Sequence, residues 1–97
     1  MPAISNPVVT SHSATTGWTK ALTLGYKRQY LCIQNQTTGN LEVAFTDADV
    51  APSLGVLIPT LQDRRYTDEV GVPFGYVWVK AEVAGSIVIE VSQSLAP

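Results

Sequence analysis

The chain has 97 residues, which is one domain's worth and no more. Six Lys and Arg against eight Asp and Glu give a formal net charge of −2, which argues against a nucleic-acid binder, because such a protein needs a positive surface to neutralise phosphates. Charged residues make up 14% of the sequence, against about 25% in an average soluble domain. A domain this small buries only about 60–65% of its unfolded surface, so the two facts together point to a surface partly covered by a partner.

Other classes fall away on simple counts. Cys32 is the one cysteine and His12 the one histidine, so neither an internal disulfide nor a Cys- or His-rich metal centre can be assembled. The longest apolar run, Val70–Val79, is broken by Pro73 and two glycines and is far shorter than the roughly 20 residues of a membrane span. The first seven residues have neither a basic stretch nor an apolar one and do not read as a secretory signal. The expectation is synthesis in a cytoplasm, with any later destination reached by assembly or lysis.

In chain order the sequence reads as strands and turns. Residues 1–17 are polar, rich in Ser and Thr, and contain Pro2 and Pro7; they read as an extended arm, although Val8 and Val9 could start a strand. Residues 18–24 read as a strand ended by Gly25. Residues 29–35 alternate, with Leu31, Ile33 and Asn35 on one face and Tyr30, Cys32 and Gln34 on the other. A turn at 36–40 contains Gly39, and residues 41–46 point Leu41, Val43 and Phe45 inward; these two strands are expected to pair as a hairpin. Residues 47–55 form a polar connection. Val56, Leu57 and Ile58 make a short strand stopped by Pro59, and 64–67 make another. Residues 76–81 are apolar on both faces and predict a central strand. After a turn at 84–86, Ile87, Ile89 and Val91 share one face of a last strand.

Seven or eight short strands with frequent turn signals predict an all-β domain: a single small antiparallel β-sandwich or jelly-roll-like barrel. The expected organisation is an arm at 1–17, the sandwich at 18–92 and a short tail at 93–97.

The case for an enzyme is thin. His12 is flanked by Ser11 and Ser13, but a nucleophile needs a rigid setting and an orienting third group. Asp47 and Asp49 could share a calcium ion with Asp63, although aspartates in such a segment serve turns more often. Asp68 and Glu69 are adjacent and would point opposite ways in extended chain. Cys32 sits mid-strand and reads as a small buried hydrophobe. The loop Gly71–Gly75 lacks the lysine of a phosphate-binding loop. No cofactor, metal, small-molecule substrate, nucleic acid or membrane is expected. Trp18, Tyr26, Tyr66 and Trp78 are candidates for a sugar-stacking face if they are exposed. Arg64 and Arg65, beside Tyr66, suit pairing with a partner's carboxylates.

Taken together, Arg28–Asn35, the alternating Val43-Ala44-Phe45, the Leu57-Ile58-Pro59 step, Tyr66-Thr67-Asp68, Val72–Ala81 and Gly85–Val91 resemble small β-sandwich virion proteins of tailed bacteriophages. These are capsid decoration (cement) proteins and head-fibre or spike bases. The resemblance covers about two thirds of the chain and has no shared active site to carry over. It implies a structural protein on the capsid exterior that associates with itself, often as a homotrimer, and docks on a major capsid protein. On that reading Ile4, Val8, Val9, Trp18, Arg64, Arg65 and Tyr66 are the candidate partner-interface residues. The alternative is a carbohydrate- or receptor-binding module of a phage fibre or tail.

Overall fold

The computed structural model describes residues 6–67 and 71–93. Eight strands follow one another: β1 (Val8–Ala14), β2 (Thr19–Leu22), β3 (Arg28–Asn35), β4 (Leu41–Thr46), β5 (Val56–Ile58), β6 (Asp63–Thr67), β7 (Tyr76–Ala81) and β8 (Gly85–Gln93). They form two four-stranded sheets, ordered β1-β8-β3-β6 and β2-β7-β4-β5, and every neighbouring pair is antiparallel. Eight strands divided in this order make a jelly-roll β-sandwich.

The inward residues of each strand face one another across the sandwich. Leu31, Ile33, Ile87 and Ile89 from the first sheet meet Leu41, Val43, Ile58, Val77 and Val79 from the second, all essentially inaccessible to water. Within each sheet they sit in register, Ile33 beside Ile89 and Val43 beside Val79. Alternation along the strands thus produces one continuous core.

The structure changes two expectations. Residues 8–14 are not a free arm: Val8–Ala14 pair in full with β8, from Val8 beside Val91 to Ala14 beside Gly85. Ser and Thr dominate there because the strand lies at an edge and exposes most of its side chains; Ala14 alone enters the core. The sandwich therefore begins at Val8, and removing residues 1–17 would remove a strand from the first sheet. Ile4 and residues 68–70 and 94–97 lie outside the described residues.

Strands β3 and β4, expected to pair as a hairpin, belong to opposite sheets. Five residues join them, enough to cross the roughly 10 Å between packed sheets. Asn35 fixes the crossing. Its inward Nδ2 donates to the carbonyls of Gly39 and Ile58, both at 2.8 Å, and its Oδ1 accepts from the Thr37 N–H at 2.9 Å and hydroxyl at 2.7 Å. The apolar faces of β3 and β4 therefore meet across the core rather than side by side.

β7 is central, as its two apolar faces predict. Its outward Trp78 is buried as well, with Lys20 of β2 and Ala44 of β4 beside it, and the connection 47–55 is tied to the same face. Lys20 of β2 reaches Asp49 in that connection at 2.8 Å, and Trp78 Nε1 donates to Thr46 Oγ1 at 2.9 Å. The Gly55 N–H donates to Glu42 Oε2 at 2.9 Å. A Cβ at Gly55 would stand 2.6 Å from the Val43 carbonyl oxygen, so only glycine permits this close return onto β4.

Candidate interaction surface

The short connections decide which edges lie together. Only residues 59–62 separate β5 from β6, and only 15–18 separate β1 from β2. The sandwich therefore has two lateral edges, one made by β1 and β2 and the other by β5 and β6.

Large apolar side chains concentrate at the β5/β6 side. Leu54 is 81% exposed, Leu57 58% and Leu61 80%, with Val50 and Val56 exposed nearby in sequence. Leu61 is also held at a φ of 61°, in the left-handed region, which costs a residue with a side chain about 1–2 kcal/mol. The surroundings enforce it. The Leu61 N–H donates to the Asn35 carbonyl at 2.9 Å, the Asn35 N–H to the Gln62 carbonyl at 2.9 Å, and the Gln62 N–H to the Pro59 carbonyl at 3.1 Å, while the Thr60 hydroxyl donates to the Thr37 carbonyl. An exposed leucine is thereby presented on a rigid turn beside a depression of about 360 Å³ lined by Gln34, Asn35, Gln36, Gln62 and Asp63.

The residues singled out from sequence fall into separate places. Arg64, Arg65 and Tyr66 come together on β6. Arg64 Nε donates to the Tyr66 hydroxyl at 2.9 Å, Arg65 Nε to Asp63 Oδ2 at 3.0 Å, and the half-buried Tyr66 ring stands edge-on to Phe45. Val8 and Val9 lie exposed at the opposite edge, on β1. Trp18 is half-buried, with Lys80 Nζ 5.8 Å from its ring centre. The described members of the set are thus dispersed: Arg64, Arg65 and Tyr66 at one edge, Val8 and Val9 at the other, and Trp18 beside Lys80 of the inner strand β7.

The aromatic residues do not form one sugar-binding face. Trp78 is buried and Tyr66 serves the core margin. The exposed rings are Tyr26 and Phe74, stacked on each other at 5.0 Å between ring centres. Beneath that pair, buried Arg28 donates to the carbonyls of Thr23, Pro73 and Gly75, joining the β2–β3 and β6–β7 connections. Burial lowers its pKa from the ordinary arginine value.

The polar groups weighed for chemistry are dispersed. His12 Nε2 bonds Thr10 Oγ1 at 2.7 Å; Ser11 and Ser13 alternate to the other face of β1. Asp63 stands on β6 with Arg65 and does not join Asp49, which is held by Lys20. No group of three or more His, Cys, Asp or Glu able to hold a metal ion occurs among the described residues. Cys32 is wholly buried on the outer face of β3, its thiol donating to Asp63 Oδ2 at 3.7 Å.

Sequence reasoning missed Leu54, Leu57 and Leu61. Val56-Leu57-Ile58 reads as a short strand stopped by Pro59, which does not say that it lies at an edge, where one side stays uncovered. The available signal was leucine set among turn formers: Leu54 before Gly55, and Leu61 two residues after Pro59.

No family model matches the chain, and no curated protein matches it. Among solved structures it is similar to a chain from Bacillus endospore appendages, which form a novel family of disulfide-linked pili; identity is 13% and the TM-score 0.59, over 99% of this chain and 92% of that one. The two share the fold.

Proposed function

We propose that this chain is a structural virion protein that decorates a bacteriophage capsid and stabilises it by bridging neighbouring major capsid protein subunits. The observation that carries the reading is the exposure of Leu54 and Leu61, which stand before and after β5, Leu61 on a strained and rigid turn. Large apolar side chains left exposed beside one edge suit a protein–protein contact, and backbone strain collects where a surface is used. The resemblance in strand order to small virion proteins gives the class of partner. A disulfide-linked appendage, as in the structural neighbour, fits less well, because the sole cysteine is buried.

The test is a copy count of the chain against the major capsid protein in purified particles, by quantitative mass spectrometry. Near-stoichiometric copies are expected. Absence from the particles overturns the reading, and about a dozen copies transfers the chain to a neck, tail or fibre.

One observation favours the second reading, a carbohydrate-binding module of a phage fibre or tail. The Tyr26–Phe74 pair offers an open aromatic face on connections clamped by Arg28. Chemical-shift changes at Tyr26 on adding host glycans, lost in Tyr26→Ala, would support it.

A further inference from the structure

β5 ends the second sheet and β6 ends the first, on the same side of the sandwich. Edge strands leave backbone N–H and C=O groups unpaired along their outer side, and natural sheets guard them or use them for pairing. Here the guard is incomplete. Val56 and Leu57 on β5 are exposed, and Leu54 and Leu61 flank them.

The charges on β6 have a self-complementary order. Asp63 and Arg65 share the outer face, beside Gln34 and Cys32 of β3, while Arg64 lies between them on the opposite face, beside Ile33. Let two copies of β6 run antiparallel about a two-fold axis through Arg64. Asp63 of each copy then stands opposite Arg65 of the other, once on each side of the axis. An axis perpendicular to the sheets also brings β5 alongside its own copy, so apolar strip meets apolar strip. The opposite edge offers no such match, because β1 contains no Asp, Glu, Lys or Arg between Val8 and Ala14.

We infer that the β5/β6 edge is the contact face of a two-fold dimer of this chain, with Leu57 at its apolar strip and Asp63, already paired with Arg65 of its own chain, also facing Arg65 of the other copy across the joint. Self-matching of this kind is what a two-fold interface requires. Arg64 is the unfavourable member, since it meets its own copy near the axis and like charges on facing strands repel. The inference does not rest on the capsid reading: its test needs only the purified chain.

Sedimentation equilibrium on the full chain should give twice the chain mass of 10.4 kDa at high concentration, falling on dilution. Leu57→Lys should leave a monomer; Glu42 faces Leu57 across β4 and gives the new lysine a partner, so the fold is kept. Asp63→Arg and Arg65→Asp should each weaken the dimer about tenfold, and the double exchange should restore it. Arg64→Gln should tighten it. A monomer at all concentrations up to about 1 mM, a trimeric or larger mass, or a dimer indifferent to Leu57→Lys and to the charge changes overturns the inference.

Discussion

Arg28 Nη1 donates to the Gly75 carbonyl at 2.9 Å, so a cation at the start of β3 in one sheet holds the entry to β7 in the other. The same nitrogen donates to the Pro73 carbonyl at 3.1 Å, and Nη2 bonds the Thr23 carbonyl. A planar fork spreads these bonds over two separated nitrogens, a spacing that the one nitrogen of a lysine does not reproduce. Arg28→Lys should therefore cost about 2–3 kcal/mol, close to the loss seen when hydrogen bonds to a charged group are broken in a buried place. The midpoint of urea unfolding reads this directly. A loss equal to that of an exposed arginine, such as Arg64, would show that the clamp carries no stability.

Asn35 gives a sharper experiment, because an isosteric change reverses its chemistry. In Asn35→Asp one carboxylate oxygen replaces Nδ2 and faces the Gly39 and Ile58 carbonyls, where two donated hydrogen bonds stood. Asn35→Ala removes all of the side-chain bonds but introduces no charge. Both should destabilise by about 3 kcal/mol or more, with the aspartate at least as harmful at neutral pH. The aspartate variant should partly recover as pH falls toward about 4, the unfolded carboxyl's value, because burial against two carbonyls raises the folded carboxyl's pKa and favours its neutral form. Equal stability of the two variants at every pH would remove Asn35's role as donor.

How far these features could be read in advance depends on their range. Leu31, Ile33, Leu41, Val43, Ile87 and Ile89 show their inward face by alternation alone, because side chains in a strand alternate by geometry. The pairing partner carries no such local mark. The five residues after Asn35 suit a hairpin and a crossing equally well, and an inward asparagine that reaches Ile58, 23 positions away, decides between them. Val8–Ala14 show little apolar pattern because an edge strand exposes most of its residues, so its membership of the sheet comes from backbone pairing with β8. Trp78 stands in a stretch apolar on both faces, which reads as a central strand, whereas the Lys20–Asp49 pair that ties a polar connection to its neighbour strand joins positions 29 apart and has no local mark. Of the candidate surface at β5 and β6, Arg64 and Arg65 stand out in the sequence by charge, whereas Leu57 hides in an apolar triplet.

That connection can be loosened without disturbing the core. The Lys20–Asp49 pair is partly exposed, so Asp49→Asn should cost no more than about 0.5 kcal/mol in global stability. Its local effect should be larger, because the pair ties residues 47–55 to the face that carries Trp78. Acrylamide quenching of tryptophan fluorescence should rise in Asp49→Asn while the unfolding midpoint stays nearly fixed. Thr46→Val, which removes the acceptor of the Trp78 indole N–H, should shift both quantities. Unchanged quenching in Asp49→Asn would mean that the ion pair does not hold the connection down.

Cys32 sets the response to alkali. Burial raises the pKa of its thiol above the ordinary value of 9.0, and Asp63 and Glu90 on the same face act in the same direction. Because the folded pKa is the higher one, the neutral thiol favours the folded state, and its contribution is complete below the unfolded value. As pH rises past about 9 the unfolded chain loses its proton first, and stability falls until the folded thiol also ionises. Tyr30, whose pKa is raised chiefly by burial, adds a loss of the same sign beginning near 10.0. Unfolding free energy measured between about pH 8 and 10 should therefore decline more steeply in the parent chain than in Cys32→Ala. A thiol reagent at about pH 8 should modify Cys32 only as fast as the protein opens. Parallel pH profiles, or rapid modification of the folded chain, would show that the thiol meets solvent and that burial does not keep it protonated.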